Sequence, residues 1–335
     1  MLKKVSLKDI AARVGVSTAL VSSVMNRKNV RVTEEVANRI RQVAEELNYQ
    51  PNEIARSLRK GLTKTLGLIV ADISNPFFSS LALNIENEAS NYGYTVIIGS
   101  SDEEVEKSET IVNTFLNKQV DGMIIAPAQG TNTQIFSLLQ NKMPLVLIDR
   151  YFPELNTNYV ILDNYQATYE ATRYLIKRGF KRIGILAYKW QLRHMQDRIS
   201  GYKEAMNSCD LSDNIYVIET NPKKGERELD KACVDLFGKN KTIDAMIFTT
   251  NLLSIEGLYC VIENKIRIPE DLGIIGFDGG SLFDLFSPPI TYVKQPIADM
   301  ASEAVKILMD CLGNRESNKT SHIILKPKLI FQSSC

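Results

Sequence analysis

Residues 7–26 have the sequence LKDIAARVGVSTALVSSVMN, and they decide how the N-terminal part of the chain folds. Apolar residues recur in the first half of this stretch at positions i, i+3, i+4 and i+7, which is the pattern of an amphipathic helix. Ser6 precedes that helix as a candidate N-cap, with Asp9 three residues later, and Gly15 suits a left-handed helix end. Ser17 can cap a second helix. The stretch therefore predicts a helix, a tight turn and a second helix.

The start of the second helix has small and polar side chains on its outer face. Thr18 and Ala19 are predicted to point outward there. The inner face is formed by Leu20, Val21 and Val24. In a helix-turn-helix motif, side chains at this point of the second helix reach base edges in the major groove of DNA. A plain αα-hairpin is the alternative interpretation.

The segments that follow favour the helix-turn-helix interpretation. Thr33 can cap a third helix, whose apolar positions are Val36, Ile40, Val43, Ala44 and Leu47. These positions complete a small core for three helices. Residues 49–61 then form a short helical stretch that is basic near its end and closes with glycine. A helix of this length is marginal on its own in water, so it can fold when a partner supplies contacts.

Charge is divided unevenly along the 335 residues. Residues 1–60 hold 12 Lys and Arg against 6 Asp and Glu, whereas the remaining residues hold 28 against 33. A basic head on a mildly acidic body indicates a polyanionic partner for the head, although a solvated charged face is the plainer interpretation. We find no signal peptide, no apolar run of membrane-spanning length and no CxxC motif among the five cysteines. These features predict a cytoplasmic protein with reduced thiols and no membrane partner.

From residue 64 onward the pattern changes to strands that alternate with helices. Continuous apolar runs predict buried strands, and the segments between them predict helices at about 76–92 and 104–119. The first four predicted strands are 66–70, 95–99, 122–126 and 145–148. Such alternation predicts a parallel sheet with helices on both faces.

The second part of this body repeats the first. KRIGIL at 181–186 resembles KTLGLI at 64–69, and IDAMIF at 243–248 resembles VDGMII at 120–125. The repeat predicts two similar doubly wound α/β subdomains that face each other. Their ligand site is expected in the cleft between the carboxyl ends of the strands.

Two motifs carry a family resemblance: LKDIA, GVS, VS and N in order within 7–26, and NYQPN followed by ARSL within 48–58. The chain resembles the lactose-repressor (LacI/GalR) family of bacterial transcription regulators over nearly its whole length. The resemblance implies an α/β protein with an N-terminal three-helix helix-turn-helix domain and a hinge helix. A periplasmic-binding-protein-like core of two doubly wound α/β subdomains would follow.

The resemblance also implies domain boundaries and an assembly state. The helix-turn-helix domain would comprise residues 1–49, and the hinge helix or linker residues 50–61. Three crossings, near Leu162, Val293 and Ile323, would divide the core. Its N-terminal subdomain would be residues 62–162 and 294–322, and its C-terminal subdomain residues 163–293 and 323–335. The tetramer-forming tail of some members is missing, so we predict a homodimer.

The DNA contacts implied by the resemblance lie in the helix-turn-helix and the hinge. Thr18 and Ala19 would meet base edges, and Ser17 and Ser22 would meet phosphates. Leu58 would wedge into the minor groove, which costs unstacking but bends DNA toward more protein surface. The predicted DNA-binding residues are Ser17, Thr18, Ala19, Ser22, Asn26, Asn52, Ala55 and Leu58.

Candidate ligand contacts follow the predicted strand ends. By resemblance, Arg198 and Asp278 would bind the effector, unless they form a structural salt bridge. A guanidinium suits vicinal hydroxyls, a carboxylate or a phosphate equally well. Phe77 would contact a ring or belong to the core, and Trp190 would stack on a sugar face or pack at the surface. The predicted effector-binding residues are Phe77, Asp149, Trp190, Arg198, Asn251 and Asp278.

Several positions depart from the family pattern. Ser23, Leu252 and Gly279 replace residues that many members carry as arginine, an acidic residue and a polar residue. No aromatic residue occurs near positions 221–222, and the tail at 331–335 lacks the common Arg-Glu pair. These departures bear on the operator sequence and the ligand, and not on the fold.

Together these observations predict a ligand-responsive, DNA-binding transcriptional regulator of the repressor type. It would bind a palindromic double-stranded operator as a dimer and be switched by a small molecule, by resemblance a sugar or sugar derivative. Purines and other metabolites stay open as effectors, and so does the direction of the response. No cofactor and no metal are predicted.

Two other classes of protein were weighed against this prediction. A solute-binding receptor of the periplasmic type would need an export signal and would leave residues 1–60 unexplained. An enzyme is disfavoured because the chain has no P-loop, no GxSxG motif and only two histidines.

Overall fold

The computed structural model describes residues 5–26, 31–49, 62–221, 242–314 and 319–335. The chain divides into two compact units, one ending at Thr63 and the other beginning at Lys64. The predicted hinge helix at 50–61 lies outside the described residues. No helix in the described ranges is long and apolar enough to span a membrane.

The N-terminal unit contains three helices around one small core. They are α1 (Leu7–Val14), α2 (Thr18–Met25) and α3 (Glu34–Glu46). All three contribute buried side chains to the core, which comprises Ile10, Ala11, Val21, Val24, Ala37, Ile40, Val43 and Ala44. The predicted three-helix domain is confirmed.

The turn between α1 and α2 follows from local hydrogen bonds. At the start of α1, the Ser6 N–H donates to Asp9 Oδ2 over 2.8 Å. After its end, Gly15 has a φ of 78°, and its N–H donates to the Ala11 carbonyl oxygen over 2.9 Å. This left-handed conformation favours glycine. Ser17 Oγ then accepts from the Leu20 N–H over 3.2 Å, so α2 begins within three residues of the glycine.

The C-terminal unit, which we call the core, contains two sheets of six strands each within the described residues. The first sheet consists of β1 (Thr65–Val70), β2 (Thr95–Ser100), β3 (Gly122–Ile125), β4 (Leu145–Ile148), β5 (Asn158–Leu162) and β11 (His322–Leu325). The second consists of β6 (Ile183–Tyr188), β7 (Tyr216–Thr220), β8 (Ala245–Phe248), β9 (Gly273–Phe277), β10 (Thr291–Lys294) and β12 (Lys328–Ile330).

The two sheets have the same strand arrangement. Their orders are β11-β5-β4-β3-β1-β2 and β12-β10-β9-β8-β6-β7. Neighbouring strands are parallel except for the pair β10 and β12, which is antiparallel. The predicted doubly wound α/β fold is therefore confirmed.

Helices pack on both sheets. The first sheet carries α4 (Pro76–Asn91), α5 (Val105–Asn117), α6 (Asn132–Gln140) and α11 (Ile297–Gly313). The second carries α7 (Asn164–Lys177), α8 (Arg193–Asn207), α9 (Asn251–Glu263) and α10 (Ser281–Leu285). The central strands are buried on both faces, and their apolar runs were visible in the sequence for that reason.

The chain passes between the sheets three times, and we call the part around each sheet the first and second subdomain. The crossings follow β5, β10 and β11. The boundary predicted at 322/323 falls inside β11, which pairs with β5 as far as Leu325. Backbone pairing thus keeps residues 323–325 in the first subdomain, and the third crossing lies at residues 326–327.

Candidate effector cleft and DNA-reading helix

Two aspartates occupy equivalent points of the two subdomains. Asp149 directly follows β4 and Asp278 directly follows β9, and these strands hold the same place in their sheets. Both have left-handed backbones, with φ of 67° and 54°. Their N–H groups donate to Val160 and Val293 of the neighbouring strands over 3.0 and 2.9 Å. Each subdomain therefore presents one carboxylate at the carboxyl end of its sheet.

The two carboxylates have common neighbours, because Arg198 and Gln295 act on the pKa of both. Burial raises the pKa of Asp278 to about 7 against the attraction of Arg198, and repulsion from Asp149 raises it as well. Burial also raises the pKa of Asp149, against the attraction of Arg150 and Arg198. The side-chain amide of Gln295 lies beside both carboxylates and favours their charged forms.

Arg198 is buried in the second subdomain and is held by three groups. Its Nε donates to Asn164 Oδ1 over 2.8 Å, and its Nη1 donates to the Thr249 carbonyl oxygen. The guanidinium carbon lies 3.8 Å from the centre of the Phe277 ring. Burial lowers the pKa of Arg198, and the nearby Asp278 and Asp149 oppose this shift. The hydrogen bonds of Arg198 thus go to Asn164 and Thr249 and not to Asp278.

Close packing of α7 against α8 positions Arg198. Thr168 Oγ1 on α7 donates to the Arg198 carbonyl oxygen over 2.6 Å. A Cβ atom at Gly201 would lie 2.1 Å from the Tyr165 carbonyl oxygen, so only glycine fits there. The spacing of three residues between Arg198 and Gly201 has this physical reason. Glycine lets the helices approach, and the approach brings Arg198 to Asn164.

A cavity of 390 Å³ lies between the subdomains, with Phe77, Asn251, Asp278 and Gln295 among its lining residues. Asn251 Nδ2 donates to the Asp278 carbonyl oxygen over 2.9 Å. Three buried oxygens there have no hydrogen-bond partner among the described residues: Asn251 Oδ1, Asp278 Oδ1 and Gln295 Oε1. We call these residues the acceptor cluster. Since buried polar atoms are nearly always hydrogen-bonded, the cluster marks a place where ligand donors can bind.

Phe77 combines the two roles that the sequence left open. It belongs to the buried core of the first subdomain and packs edge-on against Phe78, with ring centres 5.0 Å apart. It also lines the cavity. A ring contact and a core position therefore coexist in this residue.

A second group of charged and aromatic side chains lies beside Asp149. Arg150 Nη1 donates to Glu103 Oε2 over 2.8 Å, and its guanidinium carbon is 4.9 Å from the centre of the Trp190 ring. His194 is buried, and burial together with the charges of Arg150 and Arg198 lowers its pKa well below the usual value. His194 is therefore neutral near pH 7. Its Nδ1 has no hydrogen-bond partner in the described part of the chain.

Residues 189–192, which we call the bridging loop, reach from the second subdomain to the first. Trp190 packs against cores of both subdomains. The Gln191 N–H donates to Gln129 Oε1 over 2.9 Å. Leu192 is only 3% exposed and lies in the core of the first subdomain. The loop follows β6, which is separated from β10 by β8 and β9, so it joins the subdomains away from the crossings.

The structure places the six predicted ligand residues in one region. Phe77, Asn251 and Asp278 line the cavity. Asp149, Trp190 and Arg198 belong to the adjoining charged group, whose members shift one another's pKa or pack together.

Three further residues of the region were not predicted: Gln295, Arg150 and Asn164. Gln295 and Asn164 lie directly beside crossings, after β10 and after β5. A polar residue at a crossing is the signal that would have located both. Arg150 was visible next to Asp149 but shows its role only through its contacts with Glu103 and Trp190.

The predicted base-reading residues lie at the start of α2. Ser17, Thr18 and Ala19 are exposed there. The first N–H groups of a helix and its dipole suit a phosphate. Further along, Asn26 Nδ2 donates to the half-buried Ser22 at its carbonyl oxygen over 2.6 Å. The predicted hinge residues Asn52, Ala55 and Leu58 lie outside the described residues.

Comparison with known proteins gives the family. Residues 6–52 match the bacterial regulatory proteins of the lacI family, and residues 172–335 match the periplasmic binding protein-like domain. The ribose operon repressor of Halalkalibacterium halodurans is 32% identical over 304 residues, which cover 91% of this chain and 89% of that protein. This chain belongs to the lacI family of bacterial regulatory proteins.

Other members of the lacI family agree with this assignment. The HTH-type transcriptional repressor CytR of Escherichia coli is 29% identical over 95% of this chain and 93% of its own. The lac repressor dimer bound to operator and the anti-inducer ONPF has the same fold, with a TM-score of 0.86, 19% identity and 99% coverage of both chains. This lacI-family protein is accordingly a DNA-binding regulator of transcription and not an enzyme.

Proposed function

We propose that this regulator is a repressor that binds a palindromic operator as a homodimer in the cytoplasm. A small molecule, a sugar or sugar derivative, would bind in the cleft between the two core subdomains and switch it. The observation that carries the proposal is the 390 Å³ cavity, where three buried acceptor oxygens have no partner among the described residues. Cavities of this size with a few convergent polar groups are the usual form of a small-molecule site.

The N-terminal unit supports the DNA part of the proposal. Thr18 and Ala19 are exposed at the start of α2 and would meet base edges. Ser17 and Ser22 would meet phosphates. Asn52, Ala55 and Leu58 would act through a hinge helix that folds on the operator, with Leu58 as a minor-groove wedge.

Exposed apolar side chains support the homodimer. On α9 and α10, four large apolar residues have half or more of their surface exposed: Tyr259, Ile262, Leu282 and Leu285. Large apolar side chains left exposed on two helices of one subdomain are of the kind that an interface between protomers would cover. The lac repressor, which shares the fold, is described as a dimer bound to its operator.

The names of relatives support a sugar as effector. One relative is the ribose operon repressor, and a structural neighbour is the transcriptional regulator CelR in complex with cellobiose. Effector binding would change how the two subdomains close and so favour or disfavour the hinge helix. Because such coupling is reciprocal, operator would change effector affinity by the same factor.

Arg198→Ala tests the effector part of the proposal. An operator is first selected from a randomised DNA pool, and its affinity is measured by fluorescence anisotropy with and without the effector. We expect Arg198→Ala to bind operator but to lose the response to effector. Arg193→Ala is the matched control, since Arg193 lies on the same helix, is half-exposed and pairs with Asp197. A response that survives in Arg198→Ala would remove Arg198 from the effector site.

Leu58→Ala tests the DNA part. We expect weaker operator binding and an unchanged effector affinity in the DNA-free protein. Unaltered operator binding would exclude the wedge role of Leu58. A protein that selects no operator at all would contradict the proposed function.

A further inference from the structure

We propose that the cleft selects an uncharged ligand rich in hydrogen-bond donors and discriminates against the phosphorylated form of the same compound. This inference rests on the proposed function, because it concerns the ligand of the same cleft. It follows from which polar atoms of the cleft are already bonded and which are not.

The acceptor cluster requires donors from the ligand. Asn251 begins α9, Asp278 follows β9 and Gln295 follows β10, so three separate elements bring their oxygens to one cavity. Hydroxyl and N–H groups of a ligand can satisfy these oxygens. A phosphate at neutral pH offers chiefly acceptor oxygens and carries nearly two negative charges. Placed beside this cluster, it would leave the oxygens without donors, and it would be repelled by Asp278 once the pH is high enough to ionise this carboxyl group.

Arg198 does not offer a free two-nitrogen fork to a phosphate. Two of its nitrogens already donate to Asn164 Oδ1 and to the Thr249 carbonyl oxygen, and Phe277 covers its face. A fork that binds an anion in the bidentate manner would have to break these bonds. Arg198 thus supplies positive charge to the cleft without offering a bidentate anion site.

Arg150 is neutralised and covered. Glu103 accepts its hydrogen bond over 2.8 Å, and Asp149 Oδ2 lies 3.3 Å from its Nε. Trp190 of the bridging loop covers the guanidinium from the second subdomain. A phosphate would have to displace Glu103 or Asp149 to reach Arg150. The positive charge of Arg150 is therefore neutralised by these carboxylates before a ligand binds.

Arg198 and Arg150 adjoin the cavity, and the one cation in its lining, as far as the chain is described, is Lys294. Lys294 is exposed to solvent. Ion pairs of exposed lysines contribute little, because water solvates the charge and the long side chain loses freedom on pairing. Lys294 therefore does not offset the repulsion between a phosphate and Asp278.

The cavity volume supports a ligand of the size of a monosaccharide or nucleoside. At 390 Å³ it lies at the lower end of the range for small-molecule sites. Phe77 provides an apolar surface against a ring, and the acceptor cluster faces the same space. A ligand ring with an apolar face and hydrogen-bond donors at its edge fits both Phe77 and the acceptor cluster.

The first test compares matched pairs of compounds on the full-length protein. The pairs are D-ribose and D-ribose 5-phosphate, D-glucose and D-glucose 6-phosphate, and uridine and uridine 5′-monophosphate. Thermal shift identifies binders, since a ligand of the folded state raises the melting temperature. Titration calorimetry then gives the affinities.

We expect the uncharged member of at least one pair to bind, and its phosphorylated partner to bind at least about tenfold more weakly. Equal or tighter binding of the phosphorylated partner would overturn the proposal, and so would the absence of binding by all six compounds. Measuring operator affinity with each compound distinguishes failure of this proposal from failure of the proposed function. A phosphorylated compound that alters operator affinity would overturn only the ligand selectivity. Binding with no effect on operator would count against the proposed function.

The second test frees Arg150 from its partner. In Glu103→Gln the carboxylate that neutralises Arg150 is gone, so we expect the discrimination between the members of the pair to shrink about tenfold. Glu104→Gln is the matched control, because it removes the same charge from the exposed neighbouring residue. We expect its discrimination to equal that of the wild type. Unchanged discrimination in Glu103→Gln would overturn the assigned role of the Glu103–Arg150 pair.

Discussion

The two core subdomains place an aspartate at the same point of the fold but surround it differently. In the first subdomain, the next residue after Asp149 is Arg150, whose Nε lies 3.3 Å from the carboxylate. In the second, the next residue after Asp278 is Gly279, and the nearby cation is Arg198 on α8, which is bonded elsewhere. One carboxylate is thus paired locally, whereas the other keeps a buried oxygen without a partner among the described residues.

This difference shows how two copies of one fold can give equivalent residues different roles. The backbone repeat sets where the two carboxylates stand, and single substitutions beside them decide what each can do. The first subdomain uses its aspartate in a closed set of charges with Arg150 and Glu103. The second subdomain leaves Asp278 available to the cavity, together with Asn251 and Gln295. Five predictions test this comparison.

The largest effect is expected where one subdomain enters the core of the other. Leu192→Ala removes a side chain that is 3% exposed in the first subdomain's core, and should cost about 3 kcal/mol of unfolding free energy. Leu186→Ala is the matched control, since Leu186 is 2% exposed in the second subdomain's own core. Urea unfolding measures the loss in both variants.

A second measurement separates the two leucines. Trp190 is the only tryptophan of the chain and lies in the bridging loop, so its emission reports on the contact between the subdomains. We expect a red shift in Leu192→Ala and none in Leu186→Ala. Identical emission in the two variants would contradict the bridging role.

Gly201→Ala tests the helix packing that distinguishes the second subdomain. The new Cβ would meet the Tyr165 carbonyl oxygen at 2.1 Å, so α7 and α8 must separate. We expect a loss of about 2 kcal/mol in thermal unfolding. The separation also moves Arg198 from Asn164, so effector affinity should fall with it. A variant that keeps wild-type stability would show that the helices have room to spare.

Asp278→Asn tests the availability of the second carboxylate. The pKa of Asp278 is about 7 in the folded protein, compared with an ordinary value of 3.8. The folded state therefore holds a proton that the unfolded chain has already released. Its stabilising contribution is present at low pH and is lost as the pH rises through about 7. Relative to wild type, the variant should match at about pH 4 and gain about 2 kcal/mol at about pH 8.

Asp149→Asn is the counterpart in the first subdomain. Burial raises the pKa of Asp149 too, so the sign of the effect is the same. We expect a smaller gain, because Arg150 lies beside this carboxylate and favours its charged form. Melting temperatures of both variants across this pH range give the comparison. If Asp149→Asn gained as much stability as Asp278→Asn or more, the two carboxylates would not differ in local pairing as we infer.

The smallest effect is expected at His194. Burial and the two arginines lower the pKa of His194, so the unfolded chain takes up a proton near pH 6 that the folded state refuses. Wild-type stability should therefore fall as the pH drops below about 6.5. His194→Gln lacks this term and should be about 1 kcal/mol more stable than wild type at about pH 5, relative to about pH 8. A constant difference across this range, measured by thermal unfolding, would mean that folding leaves the pKa of His194 unchanged.

Much of the fold could be predicted because its elements have local causes. The turn at Gly15 and the caps at Ser6 and Ser17 follow from neighbours a few residues away. The buried strands follow from continuous apolar runs. The boundary was predicted at 322/323, three residues before β11 ends at Leu325. The residues of β11 alternate between exposed and half-buried, so they form no continuous apolar run, and pairing with β5 determines where the strand ends. Such pairing partners lie far apart in sequence.

The candidate site was predicted less completely. Asp149, Asp278 and Asn251 directly follow strands or begin a helix, so their place at the carboxyl ends could be expected from the chain alone. Gln295 and the Glu103–Arg150 pair could not. Glu103 and Arg150 are 47 residues apart, and they meet only because the parallel strands β2 and β4 end at the same edge of one sheet.

The sequence by itself determined the helix-turn-helix, the alternation of strands and helices, the repeat and the family, because each depends on local propensity or on a periodic apolar pattern. The tertiary structure alone decided which polar atoms of the cleft are bonded and which remain available. Three features depend on distances between elements that are far apart in the chain. They are the hydrogen bonds of Arg198, the contact of Trp190 with Arg150, and the position of Leu192 in the core of the other subdomain. Those distances arise only when the two sheets pack together, and the ligand chemistry of the cleft depends on them.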